Sequence, residues 1–131
     1  MRLILDTHVW LWIHLAPDRL APTVRRLLEN TDNELWLSPI SVWETLQLGR
    51  KGRLELPPDP EEWVRQRVVE QPVRDAHLTR EIAMAGHRLE LATKDPADRL
   101  IAATAMVADL RLVTSDRALL AASEVPTIAA A

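Results

Sequence analysis

The 131-residue chain contains no cysteine, no phenylalanine and no tyrosine, and it has no long hydrophobic run. Without cysteine there are no disulfides and no zinc-thiolate cluster, a composition that fits a reducing cytoplasm. The four histidines (8, 14, 77 and 87) show no zinc-ligand spacing. With Phe and Tyr absent, five tryptophans are the only large aromatics. They are expected to fill the core, with Trp63, on a helix behind a Pro-rich loop, as the best candidate for a partner-facing ring. No run reaches the roughly 18 apolar residues of a membrane span. The apolar N-terminus is not read as a signal peptide, because Asp6 and His8 interrupt it, only Arg2 precedes it and no small-residue cleavage site follows. Nor is there a basic excess: the net charge is -3. Any nucleic-acid chemistry must therefore come from a local site.

What is present reads as one ordinary globular domain spanning 1–131, 47% hydrophobic and 27% charged. Residues 2–5 (RLIL) form a short apolar strand that stops at the capping types Asp6-Thr7, ahead of a buried helix over 8–15. Helices are expected over 22–30, 39–50, about 59–70, 79–89, 96–109 and 117–122. Strands are expected over 35–37, 111–114 and 125–130, with a weak candidate within 72–78 and a loop over 49–60. Short apolar strands alternating with helices signal an α/β layered fold with a mostly parallel sheet.

In such folds ligands bind beyond the carboxyl ends of the strands. Asp6 follows LIL there, Glu44 lies on the helix after LWL, Asp116 follows RLVT, and Asp98 lies in the first turn of the Ala-rich helix. Glu44 shares a helix face with Ile40, Gln47 and Leu48, and Asp98 shares one with Ile101 and Ala102. Carboxylates on core-facing stripes are costly unless compensated, and four of them repel one another. A divalent cation resolves this, and hard oxygen ligands suit Mg²⁺ or Mn²⁺. Asp6 and Ser115-Asp116 are also ordinary helix caps, and 19 acidic residues make single hits at strand ends unsurprising. It is the set of four that points to a site.

The segments "LILDTHVWLW", "SPISVWE", "DPADRLIAATA" and "LVTSD" resemble, in order, the acidic motifs of PIN-domain ribonucleases, nearest to VapC-like toxins of toxin–antitoxin pairs. The resemblance runs from residue 3 to about 128. It implies a PIN-like α/β/α sandwich with a mostly parallel sheet of four or five short strands. It makes Asp6, Glu44 and Asp98 the core catalytic and metal-holding carboxylates, with Asp116 as the fourth, more variable acid. Thr114 matches a supporting hydroxyl, and Asp95 reads as a helix cap. The resemblance further implies Mg²⁺- or Mn²⁺-dependent cleavage of RNA, often a structured one such as tRNA or rRNA. It also implies a homodimer and silencing by a small VapB-like antitoxin.

Other features are weighed beside it. Arg99 and Arg117 adjoin site acids and are the expected phosphate contacts. Arg50, Lys51 and Arg53 form the densest basic cluster, either an RNA-backbone track or a solvated loop. His8 reads mainly as a local packing residue, and His14 as structural. Two other function classes stay open. An aspartyl phosphotransferase usually needs a second Asp two residues after the first, where this chain has His8. A non-catalytic binding module would use the acids only as caps. A trapped aspartyl phosphate would reveal the former, and an absence of metal binding the latter.

Overall fold

The computed structural model describes residues 1–131. Five strands form one sheet: β1 (Arg2–Leu5), β2 (Glu34–Leu37), β3 (Arg74–Asp75), β4 (Arg111–Thr114) and β5 (Thr127–Ala129). Their spatial order is β3-β2-β1-β4-β5, and every pairing is parallel. The helices are α1 (Thr7–Leu15), α2 (Pro22–Glu29), α3 (Pro39–Arg50), α4 (Pro60–Glu70), α5 (Arg80–Arg88), α6 (Pro96–Val107) and α7 (Arg117–Ala121). A 3₁₀ turn at Pro17–Arg19, which the sequence pattern did not suggest, links α1 to α2. No helix is long and apolar enough to cross a membrane.

The central strands β1 and β4 are buried on both faces after their first residue, whereas the edge strand β3 is exposed. Side-chain alternation divides the core into two layers. Leu3, Leu5, Leu35, Leu37 and Val113 pack to one side with Val9, Trp10, Leu28 and Trp63. Ile4 and Leu112 pack to the other with Ile82, Ile101, Ala102 and Leu119. The Ala-rich face of α6 lets α5 and the sheet approach closely on that second side. Helix starts follow the capping chemistry: Asp6, Ser38, Asp59, Thr79, Asp95 and Asp116 each accept a backbone N–H at the entry of a helix. Pro stands at the start of α2, α3, α4 and α6, where its missing N–H costs nothing.

Trp63 faces inward and is 3% exposed, which corrects its expected role as a partner-facing ring. Its indole meets Trp10 and His14 edge to face at 5.8 and 6.0 Å between ring centres. Burial in this cluster, with Arg67 nearby, pushes the His14 imidazole below its ordinary range, which favours the neutral ring. The exposed tryptophan is Trp43, at 57%.

Urea denaturation separates the two residues. Trp63→Ala should cost about 3–5 kcal/mol, whereas Trp43→Ala should stay within about 0.5 kcal/mol of wild type. Similar costs for both would contradict this packing.

Candidate active site

The order of the strands creates the site. β1 is central, and the chain leaves it first towards β2 and later returns on its other side as β4. The carboxyl ends of β1 and β4 therefore diverge into helices at a topological switch point. Asp6 ends β1 there, and Thr114 ends β4 beside it. The pairing continues past the strand, with the Asp6 N–H donating to the Val113 carbonyl at 3.1 Å.

Asp6 is 2% exposed, and both its oxygens are used. Oδ1 accepts the Thr7 N–H at 2.9 Å, which caps α1, and Oδ2 accepts the Thr114 hydroxyl at 2.6 Å. The same hydroxyl accepts the Asp116 N–H at 3.0 Å, so one side chain ties the end of β1 to the start of α7. His8 stands at the rim. Its Nδ1 lies 3.5 Å from Asp6 Oδ2, and its Nε2 lies 2.8 Å from the Ser115 hydroxyl.

Glu44 arrives from α3 with the orientation its helix face requires. The Thr7 hydroxyl lies 2.6 Å from Glu44 Oε1, as donor to the carboxylate, and 2.8 Å from Ser41 Oγ. Burial raises the Glu44 carboxyl above its ordinary range; the Thr7 hydrogen bond and His8 oppose that shift, while Asp95 and Asp6 add to it. Asp98 enters from the first turn of α6, half-buried above Ile101 and Ala102. Its carboxyl is pushed up to about 7, first by burial and then by repulsion from Asp6, Asp95, Asp116 and Glu44. Asp6, Glu44 and Asp98 share a cleft of about 360 Å³ with Thr7, His8, Leu11, Trp43, Gln47, Leu48, Lys51 and Arg53.

Other expected residues lie elsewhere. Asp116 does not line this cleft; its Oδ1 accepts the Leu119 N–H and caps α7, though its charge still reaches Asp98. Asp95 caps α6 through the Ala97 N–H, as its sequence position indicated. Arg99 is corrected from a phosphate contact to a structural clamp. Its guanidinium donates to the carbonyls of Gly86, Thr93, His87 and Leu89, closing the C-terminal end of α5. Arg117 is exposed, away from the cleft, and forms no ion pair or hydrogen bond through its side chain. Thr7 and Ser115, expected only as capping residues, and Ser41, which the pattern did not mark, also support the site. The signal for Thr7 was its place at the first turn of α1, directly after a strand-end acid.

No Arg or Lys pairs with Asp6, Glu44 or Asp98. This all-oxygen, mutually repelling donor set fits a hard divalent cation. No three of the acids or histidines close round a common point, so the carboxylates are neighbours across the cleft rather than a finished cage.

The PIN domain family model matches residues 3–125. The chain belongs to the PIN-domain family. It is 36% identical over 117 residues to ribonuclease VapC22 of Mycobacterium tuberculosis, a match covering 88% of each chain. Its fold resembles the crystal structure of VapBC2 from Rickettsia felis bound to a promoter DNA fragment, with a TM-score of 0.71, 15% identity and 98% of each chain covered. A toxin–antitoxin complex from Klebsiella pneumoniae gives a TM-score of 0.64 at 18% identity, covering 97% of this chain and 96% of that one. The five-stranded parallel sheet flanked by helices is thus a PIN-domain architecture.

The raised carboxyls fix the sign of a pH effect in metal-free protein. Between the ordinary carboxylate value and about 7, folded Asp98 keeps a proton that the unfolded chain has released. Its contribution to stability therefore falls as pH rises through that window and levels off above it. In chelator, Asp98→Asn should match wild type near pH 4 and melt a few degrees higher at pH 8. A variant less stable than wild type at pH 8 would contradict the repulsion described here.

Proposed function

We infer that this PIN-domain protein is an endoribonuclease toxin of the VapC kind, with the cleft at the ends of β1 and β4 as its active site. The observation that carries the reading is Asp6. It is a buried carboxylate, hydrogen-bonded on both oxygens and set beside Glu44 and Asp98, with no Arg or Lys ion-paired to any of the three. The likeness to a curated VapC ribonuclease supports the reaction class.

In this reading Asp6, Glu44 and Asp98 hold Mg²⁺ or Mn²⁺, and Asp116 adds negative charge from the α7 cap. A cation bound there supplies Lewis-acid stabilisation of phosphate charge and acidifies water. The chain's own residues set the geometry. Thr114 and the Thr7 N–H fix Asp6 rigidly at the sheet edge, while the Thr7 hydroxyl fixes Glu44 against the start of α1. Leu11 and Leu48 give the cleft apolar walls that lower the local dielectric and strengthen the charges within it. Hydrolysis forms a P–O bond from water as one phosphodiester P–O bond breaks, leaving a phosphate on one RNA fragment and a hydroxyl on the other, and the carboxylates would orient the water.

The same reading assigns 1–131 to a single PIN-like domain, acting in the cytoplasm as a homodimer and silenced by a small VapB-like antitoxin. The toxin–antitoxin assemblies among its structural neighbours support that partner class.

The test is cleavage of total cellular RNA by purified protein. Wild type should cut with Mg²⁺ or Mn²⁺ and stop with chelator. Thr114→Val, which loosens a supporting contact, should cost about 10–100-fold. Asp6→Asn and Glu44→Gln should fall below that variant, while Arg117→Gln should match wild type. Equal activity of wild type and folded Asp6→Asn, or wild-type cutting that ignores chelator, would overturn the assignment.

A further inference from the structure

The cleft continues beyond the acids along one face of α3. Trp43, Glu44, Gln47 and Leu48 line it in succession, and Lys51 and Arg53 close its far end. These α3 positions recur at helical spacing, so the acids and the basic end share one continuous wall. Gly52 makes the turn at its end. Its φ of +71° reverses the chain, and the Arg53 N–H then bonds back to the Leu48 carbonyl at 2.9 Å. Gly49 makes room for this end of α3 against α4, since a Cβ there would meet Pro60 Cγ at 2.7 Å.

Trp43 differs from the other four tryptophans. Trp10, Trp12, Trp36 and Trp63 each have an aromatic ring or a guanidinium packed against the indole. Trp43 has neither, and it is 57% exposed beside Glu44. Lys51 and Arg53 are likewise exposed and form no ion pair. The cleft thus presents an unpartnered aromatic face beside the carboxylate end and two free cations at the other end.

We propose that this wall of α3 is a binding track for single-stranded RNA, with a base stacked on Trp43 next to the scissile phosphate and the adjoining backbone held by Lys51 and Arg53. A flat unpartnered ring suits any base, because every base has a π-face. Free Lys and Arg suit phosphates, and their charge offsets the repulsion that the acidic end imposes on a polyanion. The track rests on the ribonuclease reading for the identity of its scissile end. It explains how a chain of net charge -3 attracts RNA without a basic surface.

The test is equilibrium binding of a fluorescein-labelled, random-sequence single-stranded oligoribonucleotide, read by anisotropy at low salt in chelator so that nothing is cut. Trp43→Ala should weaken binding roughly 5- to 150-fold, and Trp43→Phe, which keeps a ring, should stay within about threefold of wild type. Lys51→Gln and Arg53→Gln should each lower the salt-dependence slope by about 0.7. Equal affinity of wild type and Trp43→Ala overturns the track and leaves the indole to a protein contact. So does a wild type that cuts RNA with metal but does not bind the labelled pool. A wild type that binds through Trp43 yet never cuts keeps the track and instead removes the nuclease reading.

Discussion

The hydrogen bond from Thr114 to Asp6 is the contact on which the site depends. A carboxylate that is 2% exposed costs several kcal/mol in desolvation unless its oxygens are satisfied. The Thr114 hydroxyl at 2.6 Å and the Thr7 N–H at 2.9 Å satisfy one oxygen each. The Thr7 N–H is local to the start of α1, but the Thr114 hydroxyl reaches Asp6 only because β1 and β4 lie side by side. The same Thr114 hydroxyl receives the Asp116 N–H, so the acid, the strand end and the entry to α7 are locked as a unit.

Glu44 and Asp98 are then brought up to this fixed anion by α3 and α6. Both carboxyls are raised, first by burial and then by the neighbouring acids, so the fold places them where their ionisation is disfavoured. Stability alone does not explain that arrangement, since neutral side chains of the same size would remove the repulsion. A cation held by these groups would explain it. Arg99, adjacent to Asp98 in sequence, closes α5 instead of pairing with the acid.

Much of this was legible in the sequence because it depends on local chemistry. Apolar runs such as RLIL and RLVT have one reading in a parallel sheet. Asp6, Ser38, Asp95 and Asp116 announce helix starts by their type and position. The α3 face through Ile40, Glu44 and Leu48 placed its carboxylate inward, as found. The misjudged residues depended on packing between elements. α3 is apolar on several sides, through Ile40, Val42, Trp43 and Leu46, so its pattern alone did not say which residue would lack a partner. α4 is mostly polar, and its few apolar residues, Trp63 among them, were needed for the core. Arg99 was misread through sequence adjacency, for it points about 100° away from Asp98 round the helix and is drawn to the carbonyls at the end of α5. By the same geometry Lys51, seven residues after Glu44, shares the acid's face and lines the cleft.

The central claim is that the acids at the ends of β1 and β4 form one cation site. Calorimetric titration of Mn²⁺ into chelator-stripped wild type, Asp6→Asn and Glu44→Gln addresses it most directly. The account predicts saturable binding to the wild type and its loss in both variants, with all three proteins folded. Saturable binding of equal strength in all three, or none in the wild type, would contradict it.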